Sequence, residues 1–165
     1  MSSRSVEDLT PWLKEKCLAL IEKSASIGIK IALTCTARYY KEQVALYAQG
    51  RQSLDEVNAL RKIAGLPPIS LSENKYCVTW TMLSKHIVNL EDNDSTNNKA
   101  RAFDFVVIDE KGKASWDLKV NVNKNNIPDY VEVGMLAESL GMKAGMRFKD
   151  KLGRNRPDYP HIEQP

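Results

Sequence analysis

Apolar residues recur at three- and four-residue steps through Leu9, Leu13, Cys17, Leu20 and Ile21, a spacing that predicts an amphipathic helix from about Val6 to Ala25, with Thr10-Pro11 near its start. The period then shortens to two: Ile27, Ile29, Ile31, Leu33 and Cys35 alternate with Gly28, Lys30, Ala32, Thr34 and Thr36, as in a half-buried strand. From Tyr40 to Ala48, Val44, Leu46 and Tyr47 predict a short helix stopped at Gly50. Ser53-Leu54-Asp55-Glu56 is a capping box that opens a second helix ending at Gly65, so the pair forms a helical hairpin. Leu66-Pro67-Pro68 breaks the chain, and residues 69 to 83 read as irregular to weakly extended, with Tyr76, Val78 and Trp80 alternating. Asn89 to Lys99 is nearly devoid of apolar groups and reads as a solvated loop. Ala102 to Ile108 is the strongest strand signal in the chain, followed by a turn at Gly112 and a weaker extended run from Ala114 to Val120. Pro128 to Leu140 reads as a helix with Val131, Met135, Leu136 and Leu140 on one side and Gly141 as its stop, and Asp158 to Glu163 as a short, mixed element. Trp80, Phe103 and Phe105 are expected in the core, and Tyr39, Tyr40, Tyr47 and Tyr159 in the core or a cleft wall.

One residue breaks the pattern. Asp104 lies inside the run Phe103-Asp104-Phe105-Val106-Val107-Ile108, and a carboxylate with poor strand propensity needs a partner there, either a Lys or Arg at a strand edge or a bound ion. The wider composition narrows what that partner can be. With 165 residues the chain has the length of one domain, able to bury roughly two-thirds of its unfolded surface. A formal charge of +3 is too slight to imply nucleic acid as a partner, though it suits approach to an anionic polymer. Cys17, Cys35 and Cys77 are odd in number and hold no CxxC pair, so they read as small buried hydrophobes rather than a disulfide framework or thiolate zinc knuckle. No signal-peptide pattern or membrane-length apolar run is visible, so the expectation is a soluble protein made in the cytoplasm, a monomer with no membrane partner.

The chain has only two histidines, His86 and His161. A hydrolytic zinc site needs three nitrogen or oxygen ligands, a fourth position for water, and a carboxylate to handle the proton. His86, Asp104 and His161 can supply the ligands. Asp158, three residues before His161, can supply the carboxylate, with Glu163 as its alternative. The bland readings are an ordinary ion-pair role for Arg38 and a turn-forming role for Asp158 within Arg156-Pro157-Asp158-Tyr159-Pro160.

Ser84-Lys85-His86, Ala102-Phe103-Asp104 and Asp158-Tyr159-Pro160-His161 resemble, in order and position, the SxH, GxAxD and DxxH elements of the zinc D,D-carboxypeptidase and L-alanyl-D-glutamate endopeptidase family, whose phage members are endolysins. Thr34-Cys35-Thr36-Ala37-Arg38, Glu42-Gln43 and Leu46-Tyr47-Ala48-Gln49-Gly50-Arg51 are similar to the segment those endolysins carry after their first strand. The resemblance covers residues 28 to 163. It implies an α+β fold, with a small, mainly antiparallel sheet, flanking helices and a hedgehog/D,D-peptidase-like zinc cleft across the sheet face. It also implies one zinc ion per chain on His86, Asp104 and His161, with Asp158 as catalytic base. Arg38 would hold the substrate or the oxyanion, and Ser84 would be a further site residue. The chain departs from the family twice. His86 and Asp104 are eighteen positions apart, and counting the family's seven from His86 reaches Asn93, between Asp92 and Asp94, a rival ligand inside the polar loop. Ala144-Gly145-Met146-Arg147-Phe148 replaces a Trp- and Gly-rich segment. The strand residue Asp104 is preferred as ligand because a rigid element positions a side chain better than a loop.

The expectation is therefore a single catalytic domain over residues 1–165 that cleaves peptidoglycan stem peptides. The most specific form is a phage L-alanyl-D-glutamate endopeptidase that reaches the cell wall once the membrane has been breached. The rivals are a D,D- or L,D-carboxypeptidase and a non-catalytic zinc-stabilised binding domain.

Overall fold

The first helix begins later than its periodicity suggests. In a computed structural model, which describes residues 2–88 and 98–165, Val6–Asp8 form one 3-10 turn and helix α1 spans Pro11–Ser26. Thr10 is its cap: the hydroxyl accepts a hydrogen bond from the Leu13 N–H at 3.3 Å, and Pro11 sits where no N–H is needed. Leu9, just before the cap, makes a parallel bridge with Ala100. Strand β1 is shorter than the alternation, Lys30–Cys35, because Ile27 is still the helix cap and Gly28 turns the chain at φ +88°.

β2 (Arg38–Tyr39) leads into α2 (Tyr40–Ala48), and α3 (Leu54–Ile63) completes the helical hairpin. The capping box forms as expected, Ser53 accepting from the Glu56 N–H at 3.4 Å and Glu56 accepting from the Ser53 N–H at 3.0 Å. β3 (Ile87–Val88) follows an irregular stretch and pairs in parallel with β2. β4 is the predicted strand Ala102–Ile108, but the extended run after it shrinks to β5, Ala114–Ser115. α4 covers Asp129–Ser139, and two short strands close the chain, β6 (Lys143–Ala144) and β7 (His161–Glu163). The main sheet runs β1-β4-β7-β6 with β5 on the end of β4, and all its pairings are antiparallel. The α+β class with a mainly antiparallel sheet is as expected; β6 and the parallel β2–β3 pair were not.

The two faces of β4 do different work. Phe103, Phe105 and Val107, all fully buried, point toward α1 and α4, where they meet Leu13, Cys17, Leu20, Tyr130, Val133 and Ala137. Asp104 points the other way. Its neighbours in register are Cys35 on β1 and His161 on β7, and directly paired residues project from the same face, so these three side chains lie side by side.

Two expectations need correction. Trp80 is 71% exposed, since Tyr76, Val78 and Trp80 alternate along a segment that pairs with no strand among the described residues. The core side of α4 is Tyr130, Val133 and Ala137, whereas Met135 is exposed and Val131, Leu136 and Leu140 are only half-buried. Gly134 explains the choice: an added Cβ would lie 2.7 Å from the Met146 sulfur, so the small-residue side makes the close approach. Most of the polar loop Asn89 to Lys99, with the rival ligand Asn93, lies at residues 89–97, outside the described residues.

Tyr130 ties the core together. Its ring stacks on Phe105 at 5.3 Å, and its hydroxyl donates to the Ser115 carbonyl at 2.8 Å and accepts from the Val107 N–H at 3.5 Å. Tyr130→Phe leaves both backbone groups short of a partner and should cost about 1–3 kcal/mol, seen as a Tm lowered by several degrees with activity unchanged. Among the described residues no helix is long and apolar enough to cross a membrane.

Candidate metal centre

The register of three strands and one turn brings His86, Asp104 and His161 to a point. Asp104 Oδ1 lies 3.2 Å from His86 Nε2 and 3.1 Å from His161 Nδ1, and those two nitrogens are 3.2 Å apart. Donors held tetrahedrally at about 2.0–2.1 Å from a zinc ion stand about 3.3 Å from one another, so this near-equilateral triangle fits that ion. His86 is delivered by a tight turn, in which the Ser84 hydroxyl accepts from the His86 N–H at 3.3 Å and the Ser84 carbonyl from the Ile87 N–H at 3.1 Å.

The outer nitrogens set which atoms face inward. His86 Nδ1 lies 2.9 Å from the Thr36 carbonyl, which can only accept, so Nδ1 carries the proton and Nε2 presents its lone pair. His161 Nε2 lies 3.1 Å from Glu163 Oε2, an arrangement that keeps a proton on Nε2 and turns Nδ1 toward Asp104. Both imidazoles therefore offer a donor atom to the same point.

Without an ion the three groups share protons. Burial works against charge on all of them, but the mutual hydrogen bonds and charges outweigh it: Asp104 is held well below the usual carboxylate range, His161 is raised, and His86, also bonded to Cys35, rises to about 10. An ion must displace those protons. Zinc affinity should therefore rise with pH through the neutral range and fall in acid, with proton release visible by calorimetry in buffers of different ionisation enthalpy. An affinity that does not change with pH would mean that the imidazoles take no part.

Arg38 and Cys35 stand beside the triangle. One Arg38 nitrogen lies 4.0 Å from Asp104 Oδ2 and 3.5 Å from Cys35 Sγ; another donates to Gln43 Oε1 at 2.8 Å. Gln43, fully buried, donates in turn to the Thr79 hydroxyl at 3.0 Å and the Thr81 carbonyl at 2.6 Å, fixing the segment that carries Trp80. Cys35 is not merely a small apolar residue: its sulfur is 3.6 Å from His86 Nδ1. Cys35, His86 and Asp104 hold donor atoms within 4.8 Å of one another, a second possible ligand set. In that set the sulfur meets His86 on the edge already donating to Thr36, whereas the His86–Asp104–His161 triangle uses the free edge. Burial raises the Cys35 thiol, but His86 and Arg38 outweigh it and leave it lowered.

Asp158 stands at the exposed rim of the site. Its carbonyl accepts from the His161 N–H at 3.1 Å, closing the turn, and its N–H donates to the Gly145 carbonyl at 2.9 Å. Desolvation by the surrounding protein raises its carboxyl, Asp104 adds to the rise, and the nearby His161, His86 and Arg38 charges offset part of it. Glu163, the alternative base, lies on the Nε2 side of His161, behind the triangle. Sequence reasoning missed Gly145, Gln43 and the proximity of Cys35. It also missed the orienting position of Glu163, for which the signal was present, since His161 and Glu163 are two apart on a strand and share a face.

No family model matches the chain. It is 29% identical over 159 residues to the peptidoglycan L-alanyl-D-glutamate endopeptidase CwlK of Bacillus subtilis (strain 168), across 94% of this chain and 73% of that protein. Among solved structures, the L-Ala D-Glu endopeptidase ChiX of Serratia marcescens superposes with a TM-score of 0.53 at 13% identity, covering 100% of this chain and 89% of that one, so the two share a fold. The LdcB LD-carboxypeptidase gives a TM-score of 0.48 at 11% identity, covering 94% of this chain and 58% of that one.

Proposed function

We propose that this chain, whose motifs resemble those of the zinc D,D-carboxypeptidase and L-alanyl-D-glutamate endopeptidase family, hydrolyses peptidoglycan stem peptides at the bond between L-alanine and D-glutamate. The observation that carries this reading is the triangle of donors at 3.1–3.2 Å with both imidazole lone pairs turned inward, in a chain similar over most of its length to an enzyme of that name. His86, Asp104 and His161 would hold one zinc ion per chain. When bound, the ion supplies Lewis acidity to the scissile carbonyl and to the attacking water.

The protein's own groups do the rest. Asp158 takes the water's proton and returns it to the leaving amine, a task suited to a carboxyl whose proton affinity burial raises above the ordinary value. Arg38 binds a substrate carboxylate or the developing oxyanion, its guanidinium aimed by Gln43. Ser84, whose hydroxyl accepts from the His86 N–H at 3.3 Å, is a further candidate for substrate binding. This reading takes the active unit to be a monomer and its biological setting to be an endolysin that degrades the host cell wall once the membrane is breached.

Mass spectrometry of purified muropeptides incubated with the zinc-loaded protein tests the reading. Products cut between L-alanine and D-glutamate are expected. Loss of terminal D-alanine alone would make the enzyme a carboxypeptidase, and intact muropeptides would leave a zinc-stabilised binding domain. Asp158→Asn should keep zinc and lower kcat by about 10²–10⁴-fold; a variant with full turnover would remove Asp158 from its role.

A further inference from the structure

Glu163 occupies a junction that the reaction does not require of it. Its Oε2 accepts from His161 Nε2 at 3.1 Å, while Oε1 lies 3.1 Å from Lys85 Nζ and 3.6 Å from Lys143 Nζ. Lys85 also donates to the Gln164 carbonyl at 2.6 Å, and it is the residue immediately before His86. The Glu163 side chain is only 11% exposed, on a strand whose backbone is paired on both sides, with Ala102 and with Lys143. Burying a carboxylate at this depth is costly unless it is paired, and here every oxygen has a cationic or N–H partner.

We infer that Glu163 is a positioning residue for the metal centre: with Lys85 it keeps the Nε2 proton on His161, so that Nδ1 is the atom presented beside His86 Nε2 and Asp104 Oδ1. Two features of the fold make this more than a surface ion pair. β7 pairs with β4 so that His161 and Glu163 share one face, which lets the carboxylate reach the outer edge of the ring it orients. Lys85 and His86 leave the same turn, so the Lys85–Glu163–His161 chain links the two histidine-bearing segments, 75 residues apart in sequence, by a route separate from the metal itself. The imidazole pair is thereby held at coordinating separation before an ion arrives, and the entropic cost of arranging it is met by folding. An oxygen acceptor, rather than a negative charge, is what Nε2 needs, so glutamine can partly replace glutamate.

This inference rests on the metal reading of the triangle but not on the choice of substrate. The test uses the full chain, wild type and the variants Glu163→Ala, Glu163→Gln and Lys85→Met, with melting curves to establish folding. Two quantities are measured: zinc affinity by competition with a chromophoric chelator, and the ¹⁵N–¹H signal of His161 in the zinc-loaded protein. The wild type should show Nδ1 metallated and a slowly exchanging proton on Nε2. Glu163→Ala should bind zinc about 10–100-fold more weakly and lose the slow proton, Glu163→Gln should regain most of both, and Lys85→Met should fall at the low end of that range. A folded Glu163→Ala with wild-type zinc affinity, or an unchanged Lys85→Met should the alanine variant not fold, would overturn the inference, as would a wild-type His161 metallated on Nε2. A protein that shows these losses yet cuts no muropeptide would contradict the proposed substrate and leave the role of Glu163 standing.

Discussion

His86→Ala should remove zinc and activity together, with stoichiometry falling from the expected one ion per chain toward none and muropeptide hydrolysis dropping by about three orders of magnitude or more. The size follows from the geometry. His86 is 2% exposed, its Nε2 is one corner of the triangle, and with only His161 as a second imidazole the chain has no spare to substitute. Two ligands, one of them a carboxylate, hold a transition ion far less well than three. Alanine also strips the Thr36 carbonyl of its 2.9 Å donor and opens a cavity, together worth about 2–4 kcal/mol, so melting curves must accompany the assay. Dialysis of the wild type against a chelator provides the matching control, since it removes the ion without the cavity. Activity lost on dialysis and restored by zinc in the wild type, but not in the variant, assigns the loss to the ligand. A variant that retains both ion and turnover would refute the ligand set.

Gly145→Ala has the second largest effect, and it acts without touching a ligand. A Cβ on Gly145 would overlap the Asp158 carbonyl oxygen and lie 3.0 Å from both the His161 Cβ and the His161 carbonyl. Two backbone elements would collide, and neither is the flexible end of a side chain. Gly145 opens a 3-10 turn, Gly145–Arg147, and its carbonyl receives the Asp158 N–H at 2.9 Å and the Phe148 N–H at 3.0 Å, so this segment cannot retreat without breaking the turn that presents Asp158 and His161. Overpacking of this kind costs about 1–3 kcal/mol, and moving the turn by about 1 Å should lower kcat/KM by about 100-fold. Gly112→Ala is the control: that glycine has φ +74° but nothing within 4 Å of an added Cβ, so it should lose about 1 kcal/mol and no activity. Equal activity in the two variants would mean that the turn moves without consequence.

What the sequence revealed and what it hid divide along the range of the forces involved. α2, the Ser53 capping box and β4 were legible because their signals are local: a cap and its partner three residues apart, or a seven-residue run in which every side chain but Asp104 is apolar. β6 and β7, two and three residues long, exist only because distant strands accept their hydrogen bonds, and no local pattern marks them. Trp80 shows the converse error, since its alternation with Tyr76 and Val78 had the period of a strand, yet its ring lies beside the Arg51 and Arg156 guanidiniums and stays exposed. The motif order singled out His86, Asp104 and His161, but the place of Cys35 could not be read, because it depends on an irregularity in the β1–β4 register between Leu33 and Cys35 that sets Cys35 opposite Asp104. Gly145 was hidden for the same reason, its constraint arising from a turn that begins thirteen residues later.

X-ray absorption at the zinc edge of the loaded protein separates the two ligand sets, because it counts sulfur and light-atom neighbours separately. A His86–Asp104–His161 site should show two imidazole nitrogens and carboxylate or water oxygens at about 2.0–2.1 Å, with no sulfur. A sulfur neighbour at about 2.3 Å would place the ion on Cys35 with His86 and Asp104, and contradict the site proposed here.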